Sequence, residues 1–245
     1  MLASLPFMPT VVQAMVQFQQ LTGCRPSEVC RVRPRDIDRT DPACWVYRPG
    51  SDEGRHGAHK TAHHGHDRLI FVGPRAQAIL RPYLGTEEDA YCFRPADAVA
   101  ARNAKQRQLR KTPLYPSHVK RLAAKRSASP KRAPRDCYDT HSYRQAIERA
   151  CDRAFPPEGH LARRKGESLK EWQSRLTAEE REELRRWRSD HRWHPNQLRH
   201  SRATELRPHG LDITKTVLGH SKVETSLIYA EKDIQAAMQL MARIG

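Results

Sequence analysis

The sequence predicts a mainly α-helical fold with a small antiparallel β-sheet, an α+β class. Three observations point there. Apolar residues recur at helical spacing at both ends of the chain. Two short runs near residues 44–72 are β-branched or aromatic. Glycines and prolines stand where helices stop and start.

The elements follow in order. Residues 10–22 form a predicted helix, with Val11, Met15, Phe18 and Leu21 on one face, and Gly23 ends it. Pro26 suits the first turn of a short helix through Val32. Cys44–Tyr47 and Arg68–Val72 read as strands around a Gly- and His-rich stretch, 50–67. Pro74 opens a helix to about Leu84, and a further helix covers Asp139 to Phe155 with Asp139 as N-cap. Thr177-Ala-Glu-Glu180 has the pattern of a capping box and starts a charged helix to about Arg188. Helices at about 196–207, 212–218, 222–229 and 231–243 complete the chain.

The chain has 245 residues, the length of one large domain, and a formal net charge of +16. So large a charge opposes compaction, and its commonest use is a polyanion such as nucleic acid. Residues 101–200 carry 26 Lys/Arg against 12 Asp/Glu, and 101–135 carries 12 basic residues and no acidic one. Within that run Lys111, Lys120, Arg121, Lys125, Arg126, Lys131 and Arg132 are candidate DNA contacts. Pro113, Pro116, Pro130 and Pro134 forbid one long helix, so the segment reads as an arm or loop along phosphates, or as a solvated disordered insert. A second insertion, charged and helical, covers about 158–190. No 18-residue apolar run or signal-peptide pattern is present, so a soluble, intracellular (cytoplasmic) protein with no membrane partner is expected.

Six scattered cysteines without a C-x-x-C pair argue against a disulfide framework and a four-cysteine zinc site. His56, His59, His63, His64 and His66 have no cysteine or spaced histidine pair to complete a zinc site, and read as a polar hairpin tip. No metal and no cofactor is expected.

Three short motifs carry chemistry. Thr22-Gly23-Cys24-Arg25-Pro26-Ser27-Glu28 sets an arginine at a helix junction, a place that suits a phosphate. Leu198-Arg199-His200 lies inside a later helix, and Leu218-Gly219-His220 is followed nine residues on by Tyr229. Each alone is commonplace. An isolated tyrosine on an apolar helix face usually belongs to the core.

Together, in this order, they resemble the tyrosine recombinase or phage integrase family. The pattern is T-G-x-R-x-x-E, a lysine in the following hairpin, L-R-H, then L-G-H with a tyrosine nine residues on, and it covers about residues 10 to 235. The resemblance implies a single catalytic domain over 1–245, preceded in full family members by a clamping, core-binding domain that is absent here. It implies a metal- and ATP-independent DNA recombinase for integration or recombination, acting on double-stranded DNA. Tyr229 is the implied nucleophile, forming a 3′-phosphotyrosyl intermediate. Arg25, Arg199 and His220 stabilise the phosphate, and Lys60 is either the general acid or an ordinary phosphate contact in the hairpin.

One position departs from the family. A histidine often stands three residues before the second arginine, and here it is Asn196, which can hydrogen-bond a phosphate but not accept a proton. That leaves an inactive DNA-binding module of the same fold as the alternative. His194 is an open candidate for the missing proton acceptor, and His200 reads as a structural helix residue. The last helix, with Ile234, Ala237, Met238 and Met241 on one face, docks either on a neighbouring protomer, giving a homo-oligomer such as a tetramer on DNA, or on its own domain.

Overall fold

The computed structural model describes residues 1–50, 68–124 and 135–219. Lys60, Lys125, Arg126, Lys131, Arg132, His220, Tyr229 and the final helices lie outside the described residues, as does the histidine-rich stretch from His56 to His66.

Helix α1 spans Thr10–Thr22 and ends where Gly23 takes a left-handed φ of 67°. Its Val12, Met15, Val16 and Phe18 are fully buried at the centre of the main core. The short α2 follows at Pro26–Val29, with Pro26 in its first turn. It is shorter than the expected run to Val32. A three-stranded antiparallel sheet comes next, β1 (Ile37–Asp38), β2 (Trp45–Tyr47) and β3 (Ile70–Val72), in spatial order β1-β2-β3. Trp45 pairs with Val72 and Tyr47 with Ile70, and these four side chains are buried together on one face. The two-residue β1 carries no alternation to read, so the sequence predicts no strand there.

Helix α3 (Pro74–Leu80) runs into a 3-10 turn at Arg81–Tyr83, so the expected helix to Leu84 tightens at its end. The basic segment corrects the expectation of an arm or loop. It contains α4 (Pro95–Gln108) and α5 (Pro116–Ala124). Proline breaks a helix interior but suits its first turn, and Pro95 and Pro116 stand at such starts. Neither helix buries a residue, and α4 lies beside α1.

Helix α6 (Thr140–Ala154) is capped by Asp139, whose carboxylate accepts the Ser142 N–H at 2.6 Å. Helices α7 (Leu169–Arg175) and α8 (Ala178–His191) each begin with a capping box, Ser168 with Glu171 and Thr177 with Glu180. Leu161, Trp172, Leu176 and Leu184 form a small core of their own there, and the Trp172 indole donates to the Leu161 carbonyl at 3.1 Å. Arg192 joins this insertion to the main body through two hydrogen bonds to Asp152, at 2.7 and 2.6 Å. Helices α9 (Pro195–Leu206) and α10 (Leu211–Leu218) end the described chain.

One buried amide binds the layers. Gln19 on α1 donates to the carbonyls of Cys24 and Pro195, both at 3.1 Å, and accepts the Tyr143 hydroxyl of α6 at 3.0 Å. This satisfies every polar atom of a side chain with no exposed surface. It also sets the α1–α2 junction against the start of α9, the two places where the site arginines sit.

Candidate active site

A cleft of about 750 Å³ opens between the α2 start, the α6 start and the first half of α9. Arg25, Asn196 and Arg199 all line it, together with His141, Arg144 and His194. Three of the six predicted catalytic residues are thus brought to one place from distant parts of the chain. The other three, Lys60, His220 and Tyr229, lie outside the described residues.

Arg199 is 8% exposed. Its Nη1 donates to the Gly23 carbonyl at 2.7 Å and its Nη2 to the Leu218 carbonyl at 2.6 Å. A guanidinium has five N–H donors, so these two bonds fix its plane and leave donors for an anion in the cleft. Burial, then the charges of Arg68 and Arg25, lower its pKa from 12.5 to about 10. It stays cationic at neutral pH, in surroundings where an incoming anion relieves repulsion.

Gly23 is needed for this arrangement. A Cβ there would lie 2.7 Å from Leu218 Cδ2, and the backbone is left-handed as well. The close approach lets one guanidinium span the carbonyls of Gly23 and Leu218.

Arg25 is held from behind by Glu28, one turn away. The Glu28 carboxylate accepts the Arg25 backbone N–H at 2.6 Å and its Nη1 at 2.9 Å. Glu28 is 2% exposed. Burial opposes its ionisation, but Arg68, the Arg25 N–H and the Arg25 charge outweigh that and hold its pKa below the ordinary 4.5. Arg68 is the partner that sequence reasoning missed. It is 5% exposed, and its Nε meets Glu28 at 3.2 Å. Two guanidinium groups therefore pair with one carboxylate and the Arg199 charge acts on it as well, which leaves the back of the cleft cationic and suited to a phosphodiester.

Asn196 is exposed in the first turn of α9, beside helix N-terminal amides that favour an anion. His194 is the N-cap residue of that helix, and its backbone N–H donates to Gln197 Oε1 at 3.0 Å. His200 corrects the sequence reading. It is exposed and lines the cleft, and its pKa is lowered by partial burial, then by Arg199 and His194. A lowered pKa keeps its imidazole neutral at neutral pH, so it can accept a proton.

Lys111, Lys120 and Arg121 stand exposed on the α4–α5 segment. The thiols are in the opposite condition. Burial pushes Cys24 and Cys92 up to about 12, where neither is a nucleophile at neutral pH. All six cysteines are free. Among the described residues no group of three or more His, Cys, Asp or Glu is placed to hold a metal ion, and no helix is long and apolar enough to cross a membrane.

No family model matches the chain, and no curated protein matches it by sequence. Solved structures do. The Tn1549 transposon integrase in complex with transposon right-end DNA aligns over 98% of this chain at 13% identity and a TM-score of 0.51. The same integrase with a circular-intermediate DNA aligns over 94% at 14% identity and a TM-score of 0.50. The XerH site-specific recombinase bound to difH aligns over 97% at 15% identity, but its TM-score of 0.46 is too low to carry an argument. The chain spans 62% and 58% of the two integrase chains and 50% of the XerH chain. With so little identity the likeness speaks for architecture alone: the chain has the fold of a tyrosine recombinase catalytic domain.

Proposed function

We propose that this chain is a recombinase or integrase catalytic domain that breaks and rejoins double-stranded DNA, with Tyr229 as nucleophile. The observation that carries the reading is the meeting of Arg25 and Arg199 in one cleft, each anchored from behind. Two guanidinium forks with spare donors suit a phosphate whose charge grows in the transition state.

In the proposed first step the Tyr229 oxygen bonds to phosphorus and the bond to the 5′-oxygen breaks. The tyrosine proton leaves to a base, and Lys60 protonates the departing 5′-oxygen. The phosphotyrosyl link conserves the bond, and the 5′-hydroxyl of another strand reverses the step. Free tyrosine has a pKa of about 10, so a proton acceptor near the phosphate helps. Asn196 cannot serve, whereas His194 and His200 are both exposed in the cleft, and the lowered pKa of His200 keeps it neutral and able to accept the proton. Arg25, Asn196, Arg199 and His220 bind the phosphate in this reading. Lys111, Lys120, Arg121 and the basic residues Lys125, Arg126, Lys131 and Arg132 lie along the flanking duplex. Assembly as a tetramer on DNA through the last helix, and action in the bacterial cytoplasm, belong to the same proposal.

Asn196 is the one feature that favours an inactive DNA-binding module. A nicked suicide duplex separates the two. Incubated with the protein in EDTA and run on a denaturing gel, it yields a protein–DNA band that Tyr229→Phe abolishes if the chain cleaves. Salt-dependent binding with no band, also after a clamping domain is supplied, means a binding module.

A further inference from the structure

Behind the cleft, Arg68 reaches a carboxylate and two backbone carbonyls at once. Its Nε meets the Glu28 carboxylate at 3.2 Å, and its Nη1 donates to the carbonyls of Leu69 at 2.8 Å and Val217 at 3.1 Å. Its side chain and that of Glu28 are 2% and 1% exposed. Glu28 in turn holds the Arg25 backbone N–H and Nη1, while Arg199 bonds the next carbonyl along, that of Leu218. The end of α10 is thus clasped by two arginines at adjacent carbonyls, groups that a helix end leaves without intrahelical partners. The turn is built closely around Arg68, since a Cβ at Gly219 would fall 2.5 Å from its Nη1. Arg68 itself is too buried to reach an anion in the cleft.

We propose that Arg68 is a positioning residue for the phosphate site, fixing Arg25 through Glu28 and fixing the α10 terminus, and with it Arg199, through the Val217 carbonyl. This rests on the reading of the cleft as a phosphate site. A planar fork is required, because Nε and Nη1 point to three acceptors at once. A lysine supplies the charge for Glu28 but not the clasp on two carbonyls.

The groups facing Glu28 come from four places. They are Arg25 at the N-cap of its helix, Cys24 just before it, Arg68 ahead of β3, and Arg199 from α9. Tyr47 on β2 donates its hydroxyl to the Glu28 backbone carbonyl at 3.0 Å. Losing Arg68 removes the strongest cation among them, and burial then favours the protonated carboxyl. A protonated Glu28 releases the Arg25 guanidinium.

Sulfate binding tests this without any need for cleavage. Inorganic sulfate is titrated calorimetrically into the wild-type chain and into Arg68→Lys, Arg68→Gln and the neutral pair Arg68→Gln/Glu28→Gln, from pH 8 to pH 6. The wild-type-to-variant affinity ratio is the readout, because it cancels any pH effect common to every form. We expect Arg68→Gln to bind sulfate about 10-fold more weakly at pH 8, the loss of a charge-assisted contact. Its deficit widens towards pH 6. Arg68→Lys has a smaller deficit that pH does not change, and the neutral pair loses the widening. If Arg68→Gln does not fold, Arg68→Lys decides alone. Folded Arg68→Lys or Arg68→Gln protein with wild-type sulfate affinity at every pH overturns the proposal. Failure of wild-type chain to bind sulfate overturns it together with the phosphate reading. Sulfate binding without covalent trapping of DNA leaves Arg68 in its role and removes only the cleavage chemistry.

Discussion

Arg25, Arg68 and Arg199 at the cleft carry the same charge as Lys111, Lys120 and Arg121 on the α4–α5 segment, yet the two groups are in opposite physical states. The first three are buried or half-buried and fixed by Glu28 and by the carbonyls of Gly23, Val217 and Leu218. The second three stand exposed, Lys120 and Arg121 on a helix that buries nothing and Lys111 in the link before it. Charge held without freedom stabilises one geometry of an anion, and desolvation strengthens its field. Exposed charge raises the local concentration of a polyanion with no preferred geometry and is screened by salt. On the proposed function the net charge of +16 combines two roles, and substitutions separate them.

The largest effect is expected at the fixed group. Arg199→Ala lowers covalent complex formation by about 100-fold or more at saturating DNA. It also leaves the Gly23 and Leu218 carbonyls without their donor, so the urea midpoint falls too. Single-turnover trapping at saturating DNA checks the first effect, and an unchanged rate would merge the two classes of cation.

Next comes Glu28→Gln, which removes the carboxylate that Arg25 and Arg68 share. Breaking such a buried pair costs about 3–5 kcal/mol. The pH dependence has a definite sign. The folded-state pKa of Glu28 lies below 4.5, so its stabilising contribution is complete above that value and fades as pH falls through the folded pKa. Urea unfolding of both forms from pH 7 to pH 3 should show the gap between them narrowing on acidification. A constant gap would mean that Glu28 acts by shape alone.

A smaller effect separates steric from backbone cost. Gly219 and Gly159 both have positive φ, 64° and 60°. A Cβ at Gly219 meets Arg68, while at Gly159 nothing lies within 4 Å. Alanine costs about 1–2 kcal/mol at each for the backbone. Only at Gly219 should the loss be greater, and only there should sulfate affinity fall.

The smallest effect on chemistry belongs to the exposed pair. Lys120→Ala/Arg121→Ala should reduce the slope of log affinity against log salt by about 2, roughly 0.9 per neutralised phosphate. The cleavage rate at saturating DNA should not change, which filter binding over a salt series and single-turnover trapping together report.

Local signals made much of this legible before the structure. The bounds of α1, the Asp139 cap and the Thr177 box were read from residues within one turn of each other. So were Arg25 and Arg199, each embedded in a short motif. The misses have physical causes. The prolines of the basic segment forbid one long helix, and α4 and α5 are indeed separate, but the arm-or-loop reading overlooks that Pro116 also suits the first turn of a new helix. The box at Ser168 and Glu171 is as local as that at Thr177 but was not read. Arg68 meets Glu28 across 40 residues and Val217 across 149, and no spacing in the sequence announces contacts of that range. His200 was assigned to structure because helical periodicity alone does not tell a cleft-facing position from a core-facing one.

The most direct test of the central claim is to map the covalent link. The trapped complex is digested with nuclease and trypsin, and the peptides are sequenced by mass spectrometry. The account predicts a nucleotide remnant on Tyr229 and on no other residue, formed in EDTA and lost in Arg199→Ala. A remnant on another side chain, or none on a complex that survives denaturation, would contradict it.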